Sequence, residues 1–203
     1  MFNFKTANIA EKIMPTTTWS YPDRTKEIFL TFDDGPVPET TPWLLDLLKQ
    51  YNAKATFFLI GKNVEKNQYL YQRILDEGHQ VGNHTYSHVS GWKLGFNKYI
   101  EDIQLGNRFI KSHLFRPPYG KITPVQLKYL KKQFNIVFWD VLSYDFNRKI
   151  SGERCLVNVL SKYKDGSIIV FHDSMKAFKN LEYALPLVLD HFKNLEYKFA
   201  TIK

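Results

Sequence analysis

From residue 27 to the C-terminus, short β-branched and aromatic runs alternate with longer amphipathic ones. The strand-like runs cover residues 27–32, 55–60, 80–82, 114–116, 136–141, 167–171 and 197–202. Helix-like runs lie between them at 41–51, 64–77, 98–112, 124–134, 152–163 and 181–192. The boundaries carry start and stop signals. Thr40 or Thr41 can cap the first helix with Pro42 in its first turn, Thr123 before Pro124 repeats that start, and Gly78 ends the second helix. Seven strands alternating with six helices imply a parallel sheet with right-handed crossovers, either open or closed into a barrel. In both cases function sits at the C-terminal ends of the strands.

The 203 residues suit one domain with a sizeable core. A net charge of +8 admits an anionic partner, but the basic residues are scattered and no nucleic-acid motif is present, so the charge reads as a solvated face. Cys155 is the only cysteine, which excludes an internal disulfide and a Cys-rich zinc site. It sits in a helix-like run as a small buried apolar residue. The high aromatic share, 16%, fills a core and also suits the apolar face of a pyranose ring. No apolar run is long enough for a membrane span, and the N-terminus lacks the continuous apolar stretch of a secretory signal. By that reading the chain is soluble and cytoplasmic. Residues 1–25 fall outside the alternating pattern and are expected to form an extension packed on the domain.

The reactive residues gather at the strand ends. Asp33 and Asp34, in TFDDGP, follow the first strand. His84 and His88, in GNHTYSH, follow the third, and Arg116, in RPPYG, ends the fourth. Asp140 closes the fifth with Asp145 beyond it, and His172 ends the sixth. In a parallel sheet these share one rim. Each element alone has a bland reading: Asp-Gly-Pro as a turn, His-x-x-x-His as two surface residues, Pro-Pro as a rigid loop. Together they are chemically coherent. Two imidazoles and one carboxylate make a three-ligand site for a divalent metal with positions left open. One aspartate is then a ligand, and its neighbour stays off the metal as a base. Arg116 would hold that base ionised, and His172 would protonate a leaving group. His79, His113 and His191 take no role.

With TFDDGP (31–36), HTYSH (84–88) and RPPYG (116–120) in this order, the sequence resembles the polysaccharide deacetylases, the NodB homology domain of carbohydrate esterase family 4. The resemblance covers residues 26–203 as a catalytic domain and implies a distorted (β/α)7 barrel. It implies Asp33 as base and Asp34, His84 and His88 as ligands of a divalent metal, usually zinc and in some members cobalt. The Tyr119 amide would donate to an oxyanion, with His172 as general acid. The substrate class it implies is an acetylated glycan, chitin oligomers or peptidoglycan, and many members act at the cell envelope. The fourth motif departs from the family: Leu142 replaces an aspartate that pairs with the arginine, and Phe146 stands in place of a tryptophan. Asp140, two residues before Leu142, or Asp145 is expected to hold Arg116 instead. Pro118, Asp140, Asp145 and Phe146 are therefore candidate supporting or substrate-binding residues. Alternatives are an O-acetyl esterase on xylan-like polymers, a small amide or imide hydrolase on the same barrel, and a silent glycan-binding protein. The last is disfavoured because no position of the reactive set is lost.

Overall fold

The computed structural model describes residues 14–203. β1 (Glu27–Asp33) is buried along nearly its whole length, as expected of a central strand covered on both faces. It pairs in parallel with β2 (Thr56–Leu59) and with β7 (Ile168–His172). The sheet continues through β3 (Gln80–Asn83), β4 (Leu114–Phe115) and β5 (Asn135–Ile136) on one side, and β6 (Val141–Leu142) on the other. Its order is β5-β4-β3-β2-β1-β7-β6, and β8 (Lys198–Phe199) joins the N-terminal end of β1. This curled parallel sheet with helices is the (β/α)7-type barrel expected.

Strand alternation divides the core in two. Ile28, Leu30, Phe32, Phe57, Ile169 and Phe171 pack with helix residues such as Leu44, Leu48 and Leu185. Their neighbours Phe29, Phe58, Ile168 and Val170 pack inside the curl with Phe115, Phe138 and Trp139. Each fully buried side chain of this kind contributes about 1.5–3 kcal/mol. Thr31 and Asp33 share the face of Phe29, so the strand period aims Asp33 into the barrel interior.

The helices are α1 (Thr41–Gln50), α2 (Gly61–Lys66), α3 (Gln68–Asp76), α4 (Phe96–Phe109), α5 (Pro124–Leu130), α6 (Gly152–Leu160) and α7 (Phe178–Asn194), with a 3-10 turn at Pro118–Gly120. The single helix expected over 64–77 is two. Asn67 interrupts it at φ −129°, ψ 50°, and its side-chain amide donates to the Asn63 carbonyl. A short amide side chain competing for helix carbonyls is a local way out of the helix. The capping box at Thr123 and Gln126 is present. Thr40 does precede α1, but its hydroxyl makes no bond to the helix amides.

The fifth strand expected over 136–141 is also two pieces. β5 pairs with β4 and β6 with β7, so one run of chain touches both ends of the sheet's path. Between them, the N-terminal segment supplies the missing neighbour. Thr18 bridges Val137 in parallel, Phe138 N–H donates to the Thr18 carbonyl (2.7 Å), and Trp19 stacks on Phe138 at 4.3 Å. Ser20 bridges Ser167. Of the extension expected over 1–25, residues 1–13 lie outside the described residues. Cys155 is buried. Among the described residues, no helix is long and apolar enough to cross a membrane.

Candidate metal centre and active site

The two aspartates of TFDDGP part company in structure. Asp33 is the last residue of β1 and is buried. Its Oδ1 accepts from Arg116 Nη1 at 2.7 Å. Arg116, fully buried, spends its other donors on the Thr31 hydroxyl (2.8 Å) and the carbonyls of Val137 (3.3 Å) and Phe138 (3.0 Å). Its guanidinium lies 4.0 Å from the Phe58 ring centre. Thr31 in turn donates to the Ile169 carbonyl (2.9 Å), so the arginine is fixed from three strands. Burial works against the Asp33 charge, but Arg116, with help from His84 and His172, holds its carboxyl below the usual aspartate range.

Asp34 leaves the strand with a left-handed backbone, φ 82°, which a short polar side chain tolerates. This turn brings its Oδ1 to 3.2 Å from His88 Nε2 and 3.9 Å from His84 Nε2. One ligand atom from each of Asp34, His84 and His88 lies within 4.8 Å of the others. His84 Nδ1 is 2.7 Å from the Arg116 carbonyl, which can only accept. That bond fixes the tautomer and leaves the Nε2 lone pair facing Asp34. Burial pushes His84 down to about 4, so it is neutral at neutral pH, the form a metal requires. Asp34 Oδ1 is buried and has no hydrogen-bond partner among the described residues. An orphaned carboxylate oxygen facing two imidazole nitrogens fits a divalent cation and has no better explanation in the fold.

Across the site, β7 places His172 in register with Asp33. Asp145 grips it twice: Oδ2 accepts the His172 amide (2.6 Å) and Oδ1 accepts Nδ1 (2.8 Å). Burial alone would lower the imidazole, but the Asp145 charge and hydrogen bond outweigh it and raise His172 to about 9. The Phe146 ring meets it edge-on at 4.7 Å. Tyr119, φ 62°, lies in the 3-10 turn, with its hydroxyl 3.2 Å from His88 Nδ1. Thr85 and His88 are also left-handed, at φ 65° and 57°. Backbone strain of order 1–3 kcal/mol each is thus concentrated in the loops that hold the site.

The expected partner for Arg116 is corrected. Neither Asp140 nor Asp145 reaches it: Asp33 is its carboxylate, and backbone carbonyls of the broken strand do the rest. Because the strand breaks before Asp140, that carboxylate turns to β7, where it accepts from Ile168 N–H and Ser167 Oγ, both at 2.8 Å. It caps a ladder position rather than supporting the site. Asp145 orients His172. Leu142 and Phe146 line the cleft, and Pro118 is buried in its turn.

Several supporting residues escaped the sequence reading. Asp173, next to His172, accepts from the Thr40 hydroxyl and from that of Thr41 (2.6 Å), and its amide donates to the Asp33 carbonyl (2.7 Å). Its carboxylate sits against the Cα of Gly35, where any Cβ would collide with it. Asp102 on α4 accepts from the amides of Tyr86 (2.9 Å) and Ser87 (3.1 Å), anchoring HTYSH. Asn63 donates to the Asp34 carbonyl at 2.7 Å. The His-Asp pair at 172–173 was the one available signal for Asp173.

These groups floor an open cleft of about 610 Å³, walled by Trp139, Leu142, Phe146 and Val170. A family model for polysaccharide deacetylase matches residues 20–136. A peptidoglycan-N-acetylglucosamine deacetylase of Bacillus cereus is 36% identical over 96% of this chain and 95% of its own length. A crystal structure of a peptidoglycan N-acetylglucosamine deacetylase superposes with a TM-score of 0.85 at 36% identity, over 95% of this chain and 94% of the other. A bifunctional xylanase/deacetylase of Pseudobutyrivibrio xylanivorans is 34% identical over 87% of this chain and 30% of its own length. Members of this family depend on a divalent metal. With the family model covering more than half its length and the reactive set gathered at one rim, this chain belongs to the polysaccharide deacetylases of carbohydrate esterase family 4, and it is a hydrolase.

Proposed function

We propose that the protein removes the acetyl group from N-acetylglucosamine in a peptidoglycan-type glycan, using Zn2+ held by Asp34, His84 and His88. The observation that carries this reading is the orphaned Asp34 Oδ1 facing two imidazole nitrogens, with the Arg116-held Asp33 beside it and His172 opposite. When bound there, the cation polarises the acyl oxygen and makes a water easier to deprotonate. Asp33 Oδ1 is occupied by Arg116, while Oδ2 lies 3.9 Å from His84 Nε2 and takes the proton of the attacking water. The Tyr119 amide donates to the developing oxyanion. His172 is protonated at neutral pH and gives its Nε2 proton to the departing nitrogen as the C–N bond breaks, releasing acetate and a free amine.

The test is acetate release from N-acetylglucosamine oligomers and from peptidoglycan, with protein stripped of metal and reloaded with zinc or cobalt. Asp33→Asn is expected to keep the metal and lose roughly 10²- to 10⁴-fold in turnover, the usual worth of a general base. Tight zinc binding without acetate release would discard the substrate and keep the site. The likeness to a xylanase/deacetylase motivates the competing O-acetyl esterase reading. Faster release from acetylxylan than from either N-acetylated glycan would establish it.

A further inference from the structure

A second cleft of about 680 Å³ opens beside the first, and Lys176 lines both. The junction is direct. His172 meets the Phe146 ring edge-on, and Lys176 Nζ stands 5.5 Å from the centre of that ring. Beyond it the cleft is lined by Lys179 and Arg148, with Ile150, Met175 and Tyr183 as its apolar part. Lys176, Lys179 and Arg148 are exposed, and none is paired with a carboxylate among the described residues. Among the described residues, Glu153 is the only acidic one lining this cleft. Another cleft, at the N-terminal end of β1, is also lined by three cations, Arg24, Lys54 and Lys203, but the cavity of Arg148, Lys176 and Lys179 is the one that begins a single side chain from the proposed acid.

We propose that Arg148, Lys176 and Lys179 form an anion-binding subsite that receives a carboxylate-bearing substituent on the sugar next to the scissile N-acetyl group. The inference rests on the deacetylase reading above and deepens it. A chitin oligomer is neutral and would leave the three cations unpartnered. A peptidoglycan strand carries, on alternate sugars, a lactyl ether ending in a carboxylate or a short peptide. Such a group matches both halves of the cleft: a small apolar portion for Ile150, Met175 and Tyr183, and a charge for the basic rim. Because the cations are exposed, each acts with modest strength and is screened by salt.

The experiment uses the zinc-loaded full chain and peptidoglycan fragments of one length, with carboxylates either free or converted to neutral amides. The free-carboxylate fragment is expected to have a kcat/KM about fivefold higher at low salt, the ratio shrinking as salt is raised. In Arg148→Gln/Lys179→Gln the ratio is expected to fall to near one. Equal kcat/KM for the two fragments in the unmodified protein, or a preference that persists in the double variant, would overturn the subsite. Calorimetric binding of both fragments reads the same preference without turnover. If neither fragment is deacetylated, the deacetylase reading fails by itself, and the binding ratio still decides the subsite.

Discussion

At the scale of single residues, charge placement governs the chemistry. Asp145 lies 2.8 Å from His172 Nδ1 and keeps that imidazole protonated against the pull of its burial, up to about 9. If His172 is the proposed acid it must carry its proton, and activity is then expected to fall as pH rises through that value. Asp145→Asn removes the charge, so burial then dominates and the alkaline limb of the kcat/KM profile should move to lower pH. The same pair contributes stability that is fully present below 6.5 and is lost as pH rises through about 9. Arg116 and Asp33 pose the opposite problem, a fully buried ion pair. Arg116→Met would leave the Asp33 carboxylate uncompensated, and a loss of about 3–5 kcal/mol is expected in denaturant unfolding. A smaller loss would mean that Asp33 has taken up a proton, which a simultaneous shift of the acid limb would reveal.

At the scale of elements, the loop after β1 and the start of α1 are set by the residue just past β7. Asp173 draws the Thr40 and Thr41 hydroxyls, holds the Asp33 carbonyl with its amide and fills the space beside Gly35. The hydroxyls available to cap α1 are therefore diverted to the site. Gly35→Ala forces its new methyl into that carboxylate, and a destabilisation of about 1–3 kcal/mol is expected, with metal affinity falling as Asp34 is displaced. Because the two side chains would touch, Gly35→Ala and Asp173→Ala should be non-additive. The double variant is expected to be less destabilised than the sum of the singles. Strict additivity would show that the strain lies elsewhere in the loop. HTYSH is fixed in a similar manner by Asp102 from α4, the next helix along the chain, so each ligand loop hangs from an element outside itself.

At the scale of the whole molecule, the N-terminal segment completes the sheet where the fifth strand breaks. Trp19 is buried and stacked on Phe138, whose carbonyl holds Arg116. Trp19→Ala is expected to cost about 3–5 kcal/mol in denaturant unfolding and to lower turnover through the loosened arginine. Unchanged stability would mean that the segment is not part of the cooperative unit. The alternating strands and helices, the rim and the triad of Asp34, His84 and His88 were legible in the sequence. Side-chain periodicity is local, and parallel strands bring their C-terminal ends together whatever their order. The break at residues 137–140, the turn of Asp140 away from the site, the grip of Asp145 on His172 and the use of Asp173 were not legible. Each depends on which strand lies next to which, across separations such as the 83 residues between Arg116 and Asp33 or the 133 between Thr40 and Asp173. The sequence by itself determined which reactive groups gather and on which edge they meet. Only the tertiary structure decided which partner each buried charge finds, because a buried charge is satisfied by whatever packing brings within hydrogen-bond reach, and no local pattern encodes that neighbour.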